Sequence, residues 1–242
     1  MNKYLKNLNR IEFVVTMACS GRCKHCSQGS HISNEHIDDL KAEQAIYDIC
    51  SHYNIDSLMT FGGEPLLYPE TVCKIHSAAR KMNIPQRELI TNGYFSKDIG
   101  RIREVAHMLA QSGVNGICLS IDAFHQETIP LEYVKEAISI HTHPAWLVSA
   151  DDNNPYNLKT RELLNEFCEM GIEQSSGNVI FPSGNALKYL GEYFDQDVEY
   201  DNPYRENPKD VKTISFSANG DVLCRNIYKD SILEIMGSYS IT

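Results

Sequence analysis

No apolar run in this chain approaches the roughly 18 residues a membrane span requires, and mean hydropathy is −0.34. The opening stretch MNKYLKNLNRIEFVV is somewhat basic but has no apolar segment ending in a small-residue cleavage site, so it does not read as an export signal. Positive charge is also scarce. There are 22 Lys and Arg against 32 Asp and Glu, the net charge is −10, and no basic cluster stands out. That balance argues against duplex DNA or tRNA as a partner and suits a small or cationic substrate better. Repeats and low-complexity tracts are lacking as well. Eight cysteines without an export signal fit a reducing cytoplasm rather than a disulfide framework. What is present is 242 residues, 42% of them hydrophobic, enough for one large domain or a core with a small appendage.

Through the first three quarters, strand-like and helix-like segments alternate. Strands are predicted at 11–18, 56–61, 87–91, 116–122, 145–150 and 178–182, from β-branched and aromatic enrichment. Helices are predicted at 41–54, 69–83, 97–113, 131–141 and 160–171, from apolar residues at helical spacing. Such alternation implies a parallel sheet with right-handed crossovers. Six units over roughly 170 residues fall short of a closed eightfold barrel. The fold class expected is therefore α/β, an open partial (β/α)6 TIM-like barrel, with a flat doubly wound sheet as the alternative. In GICLSID, Ile117, Leu119 and Ile121 face one side and Cys118, Ser120 and Asp122 the other. A polar face suits a barrel interior that holds a ligand.

The core is expected over 1–188. Residues 189–210 hold seven acids, two bases and five aromatics without a sustained period, and read as a linker or surface-wrapping loop. A hairpin around Asn219-Gly220 is predicted at 213–224, then a short helix at 229–236. Together 189–242 form a small C-terminal hairpin-plus-helix extension.

The stretch ACSGRCKHCSQG places Cys19, Cys23 and Cys26 just after the first strand. Three thiolates at this spacing can wrap zinc, with His25 or His31 completing a tetrahedron. They can also hold three irons of a 4Fe–4S cluster and leave the fourth iron open. His25 is squeezed between Cys23 and Cys26, which makes it a poor fourth ligand to the same ion. Loops at the carboxyl ends of strands are where β/α arrays place their chemistry.

These residues resemble a radical SAM enzyme. The family's C-x3-C-x-aromatic-C loop is matched by CSGRCKHC, with His25 in the usually aromatic place. Its glycine-rich motif on the second strand is matched by GGEP, residues 62 to 65, and TNG (91–93) and SIDAF (120–124) also look like family features. The resemblance covers about residues 10 to 182. It implies one 4Fe–4S cluster on Cys19, Cys23 and Cys26, whose open iron chelates the amino and carboxylate groups of S-adenosylmethionine. Reductive cleavage would release a 5′-deoxyadenosyl radical that takes hydrogen from substrate. By the same resemblance, Gly62 and Gly63 let backbone approach the methionyl ammonium and Glu64 accepts a hydrogen bond from it. Asn92, Ser120 and Asp122 would face the methionine carboxylate and ribose, and backbone from Val179 to Phe181 would border the adenine. A flavodoxin- or ferredoxin-type electron donor and sensitivity to oxygen are implied too.

The segment NGDVLCRNIYKDSILEIM resembles the start of the SPASM or twitch extension, which in relatives binds an auxiliary cluster. Here Cys224 is the only cysteine after Cys168, so an auxiliary cluster is not expected. Cys224 as a hydrogen-atom donor and Asp122 are the candidate catalytic groups. The reaction reads as modification of a peptide or small metabolite. Activation of a glycyl-radical enzyme is the alternative, since GGEPLL fits it but SIDAFH departs from its usual fourth strand. A non-catalytic zinc or iron–sulfur module is the third reading. With the triplet beginning at residue 19, no leader-recognition segment is expected before it, and a peptide substrate would then imply a separate recognition protein. His125 and the loop DDNNPYN (151–157) lie just after strands at the active-site end and are candidate substrate contacts. Cys50, Cys73 and Cys168 read as buried small hydrophobes.

Overall fold

The computed structural model describes residues 3–27, 29, 33–136, 141–195, 206–207 and 209–224, with backbone alone at Leu223 and Cys224. The strands are β1 (Arg10–Val14), β2 (Ser57–Phe61), β3 (Gln86–Thr91), β4 (Gly116–Leu119), β5 (His141–Thr142), β6 (Ala145–Trp146), β7 (Glu173–Gln174), β8 (Asn178–Val179), β9 (Thr213–Phe216) and β10 (Val222–Cys224). The helices are α1 (Asp39–Cys50), α2 (Pro69–Lys81), α3 (Ile99–Ser112), α4 (Leu131–Val134), α5 (Pro155–Glu169) and α6 (Gly184–Tyr189). The main sheet runs β10-β9-β1-β2-β3-β4-β5-β7. All its pairs are parallel except β9 with β10. Its end strands do not pair with each other among the described residues, so the sheet stays open.

One face is an apolar core. Ile11, Phe13, Leu58 and Leu89 alternate inward along β1 to β3 and pack with Ile46, Val72, Ile75 and Val105 from α1 to α3. Each helix starts on a local signal. Asp38 caps α1 by accepting from Leu40 N and Lys41 N, Pro69 opens α2, and Asp98 accepts from Gly100 N at α3. The other face is polar. Glu12, Met59 and Glu88 stand in register on β1 to β3. Arg10 Nε lies 2.7 Å from Glu12 Oε1, and Ser215 on β9 donates to Glu12 Oε2 at 2.9 Å. Cys118 Sγ sits 2.9 Å from His141 Nε2.

The second half differs from expectation in detail. The predicted helix at 131–141 is described only as α4, and His141 already belongs to a strand. The expected fifth and sixth strands, 145–150 and 178–182, form a separate two-stranded ladder, β6 with β8. The main sheet takes β5 and β7 instead. The cause is one inserted residue: His141 faces Glu173, but Ala145 faces Asn178. Such a bulge bends the strand and re-aims the residues beyond it. Gly177 carries it at φ +65°, where a Cβ would sit 2.1 Å from Pro144 O. Helix α5 begins at Pro155, earlier than predicted, because Asn154 caps it by accepting from Asn157 N. Helix α6 has no counterpart among the predicted elements. Its Ala186 packs with Leu190 and Phe194 against Phe124, Leu147 and Ile180, so the start of the expected linker is part of a core. The predicted hairpin forms, and β9 extends the sheet beside β1. The expected helix at 229–236 lies outside the described residues. Cys50 and Cys73 are half-buried, but Cys168, at the edge of the buried stripe of Leu163, Leu164 and Phe167 on α5, is exposed. No helix among the described residues is long and apolar enough to cross a membrane.

Candidate active site

At the carboxyl ends of β1 to β4 a cavity of about 130 Å³ is lined by Cys19, Cys23, Cys26, His25, Gly62, Gly63, Asn92, Ser120 and His125, among others. A larger cleft of about 340 Å³, between residues 50–56 and 82–85, lies at the opposite ends of the strands, away from this chemistry. The cysteine loop is held from several sides. Thr16 Oγ1 accepts from Ala18 N at 3.0 Å and donates to Glu35 O at 2.7 Å. Arg22 N donates to Thr128 Oγ1 at 3.0 Å. From α6, Asn185 N donates to Cys26 O at 2.9 Å and its Nδ2 to Cys23 O at 3.3 Å. These clamps have no motif, and α6 itself carries little sequence signal.

The glycine pair has a reason internal to the fold. Gly63 N donates to Thr16 O and Glu64 N to Ala18 O, both at 2.8 Å. A Cβ on Gly62 would meet Thr16 O at 2.5 Å, and one on Gly63 would meet Ala18 O at 2.1 Å. Only glycine lets the end of β2 lie against the cysteine loop this closely. Glu64 does not line the cavity. It is fully buried, with Oε1 accepting from Leu66 N (3.0 Å) and Thr91 Oγ1 (2.7 Å) and Oε2 from Asn92 N (2.8 Å). Its carboxylate ties the GGEP turn to the TNG turn. Burial raises its pKa to about 7, although three hydrogen bonds pull the other way.

Asn92 Nδ2 points to Cys19 Sγ at 3.6 Å and Ser20 Oγ at 3.3 Å, while its Oδ1 accepts from Tyr94 N. Asp122 is fully buried and does not line the cavity. Its Oδ1 accepts from Phe124 N and His125 N, and its Oδ2 takes His125 Nδ1 at 2.7 Å and Ala145 N at 3.0 Å. Burial pushes this carboxyl up, but His125 and the hydrogen bonds outweigh it and hold the group well below the usual carboxylate range. Asp122 thus reaches the cavity through His125. The His25 ring lies between Phe124 and His125, at centroid distances of 5.2 and 4.7 Å. Val179 is exposed on β8, and neither it nor Phe181 lines the cavity. In the loop 151–157, Asn157 is buried and spends its Nδ2 on Leu147 O, Ser149 O and Asp152 O, a structural knot rather than a free contact. Cys224 lies on β10 by its backbone, but its side chain falls outside the described residues, as does His31.

A family model, the Radical SAM superfamily, matches residues 13–192. The chain belongs to that superfamily. Similar proteins include a GTP 3′,8-cyclase of Desulforamulus reducens, 26% identical over 131 residues, 53% of this chain and 38% of that protein. The fold is shared with Streptococcus suis SuiB bound to its precursor peptide SuiA, at 12% identity and TM-score 0.56, covering 93% of this chain and 62% of that one. It is also shared with BtrN in complex with AdoMet and 2-DOIA, at 15% identity and TM-score 0.51, covering 92% and 74%. This chain therefore spans less than two thirds of SuiB and of the matched cyclase.

A radical SAM enzyme uses a 4Fe–4S cluster and S-adenosylmethionine, and the donor set here fits the cluster. Three thiols of one loop line one wall, and the described residues of the lining include no fourth cysteine. Cys19 Sγ accepts from Gly21 N at 3.3 Å, a contact of the kind that tunes cluster potential. Burial pushes the Cys19 thiol up to about 11 and Cys23 further up. Metal loading must therefore displace protons from these thiols.

Proposed function

We propose that this radical SAM enzyme abstracts a hydrogen atom from a small polar molecule or a peptide, with the radical supplied by S-adenosylmethionine reduced at a 4Fe–4S cluster on Cys19, Cys23 and Cys26. The observation that carries the reading is the cavity wall of three thiols beside the Gly62–Gly63 backbone, without a fourth cysteine among the described lining residues. The protein's share is placement and exclusion of water. Gly62 and Gly63 bring backbone against the cysteine loop, and Asn92 orients toward the Cys19 sulfur. Ser120, on the far wall, offers a hydroxyl to the methionine carboxylate. Glu64 acts through others: it fixes Thr91 and the Asn92 backbone, so it is a positioning residue. The polar sheet face with Arg10, Glu12, Glu88 and His141 favours a polar substrate. The electron donor is of flavodoxin or ferredoxin type.

The test is anaerobic reconstitution with iron and sulfide, then dithionite, S-adenosylmethionine and an assay for 5′-deoxyadenosine. The wild type should form it and Cys23→Ala should not. A wild type that takes up stoichiometric zinc and no cluster overturns the proposal.

A further inference from the structure

Outside the triplet as a whole, one subset of side chains forms a constellation of its own. Cys23 Sγ, a ring nitrogen of His25 and a ring nitrogen of His125 lie within 4.8 Å of one another. We infer that the cluster-free chain binds a single divalent cation of the zinc type through Cys23, His25 and His125, and that this state excludes the cluster. The inference rests on the proposed function only in that Cys23 serves both states.

Three observations carry it. First, His125 is already set as a ligand. Its Nδ1 is engaged by Asp122 Oδ2 at 2.7 Å, and Asp122 is itself fixed by three backbone N–H groups. A carboxylate behind a histidine fixes the tautomer and presents the opposite nitrogen, as in metal sites generally. Second, His25 Nδ1 is buried and has no hydrogen-bond partner among the described residues, an uncommon state for a buried ring nitrogen. Third, the charges fit. One thiolate, two neutral imidazoles and a dication leave one positive charge beside the buried Asp122 carboxylate. Tetrahedral zinc bond lengths put ligand atoms about 3.3–3.7 Å apart, so the three side chains, already within 4.8 Å of one another, need to close by no more than about 1.5 Å. The fourth position would hold water. Cys19 is not part of this set, because its sulfur is turned to Gly21 N and Asn92 Nδ2. The site thus differs from a zinc knot built on all three cysteines, where His25, squeezed between Cys23 and Cys26, is a poor fourth ligand; here Cys26 is not in the set. Both states need the Cys23 sulfur, so loading one blocks the other until the metal is removed.

The probe is cobalt(II), titrated anaerobically into the full chain stripped of metal. The expected result is one equivalent bound, with tetrahedral d–d bands and the charge-transfer intensity of a single thiolate. His125→Asn and His25→Phe should each weaken binding more than about tenfold, while Cys19→Ala and Cys26→Ala keep it. Charge-transfer intensity of three thiolates, lost in Cys19→Ala, overturns the inference. So does unchanged cobalt affinity in both histidine variants. Iron–sulfur loading of His125→Asn separates this from the proposed function: a cluster without a cobalt site supports the inference, and a folded variant that still binds cobalt tightly sinks it. A wild type that takes cobalt as described but never a cluster would fail the proposed function alone.

Discussion

Glu64→Gln isolates the energetics of the tether beneath the cavity. Glu64 is fully buried, and its two oxygens serve Leu66 N, Thr91 Oγ1 and Asn92 N. Burial lifts its pKa from 4.5 to about 7. A carboxyl whose folded pKa is raised gives stability that is complete below the unfolded value and is lost as pH rises through the folded one. Integrating that linkage from about pH 5 to about pH 8 gives a loss of about 2.5 kcal/mol. Glutamine cannot ionise, so it lacks this slope. It carries a fixed cost of about 1–3 kcal/mol instead, because its amide N–H2 must face a backbone N–H that the carboxylate had satisfied. Urea unfolding of the cluster-free chain at both pH values measures the difference. The wild type should lose about 2.5 kcal/mol more than the variant on going to the higher pH, bringing the two stabilities together. Parallel pH profiles would refute the reasoning, since they would mean that Glu64 is ionised and solvated in the folded chain.

Two other outcomes rest on single contacts. Gly63→Ala puts a Cβ 2.1 Å from Ala18 O, a backbone atom that cannot swing aside, so the cysteine loop must shift; reconstituted iron per chain should fall to below about half of wild type while far-UV circular dichroism holds, and full iron content would contradict the packing argument. His76 is buried with Nε2 2.9 Å from Thr60 Oγ1, and burial lowers its pKa to about 3; the unfolded chain then takes the proton first as pH falls through about 6.5, so wild type should lose about 2 kcal/mol between about pH 7.5 and pH 5 that His76→Leu does not lose, read from denaturant midpoints.

The first half of the fold is legible in the sequence because local and tertiary signals agree there. Strands β1 to β4 and helices α1 to α3 carry clear periods, cap residues and one shared core. The second half is not, because the deciding features are tertiary. AWLVSA looks like a strand by composition, yet only Ala145 and Trp146 pair, and they pair outside the main sheet. The strands that replace it, HT and EQ, are two residues each and have no propensity signal of their own. At the site, the motifs name the cysteines and glycines in the cavity wall, but not which way each group faces. GGEP marks the position of Glu64 without saying that its carboxylate turns into the protein. His125 is a candidate by its place after a strand, but its coupling to Asp122 depends on where Ala145 lies.

That coupling gives the irregular second half its purpose. Beside β4, His143 N donates to Leu119 O at 2.7 Å, continuing the β4–β5 ladder. The next donor in that row is Ala145 N. Instead of continuing to β4 backbone, it goes to Asp122 Oδ2 at 3.0 Å. Pro144, between them, has no N–H to offer, and its carbonyl is taken by Asn178 N across the bulge at 2.9 Å. The bulge ends one ladder and starts another, and on the strand's other edge a backbone N–H steadies a buried carboxylate. With its other oxygen held by Phe124 N and His125 N, Asp122 can hold the His125 ring in one orientation against the cysteine loop. A regular strand would have spent Ala145 N on the ladder, and the histidine facing Cys23 would have lost part of its support.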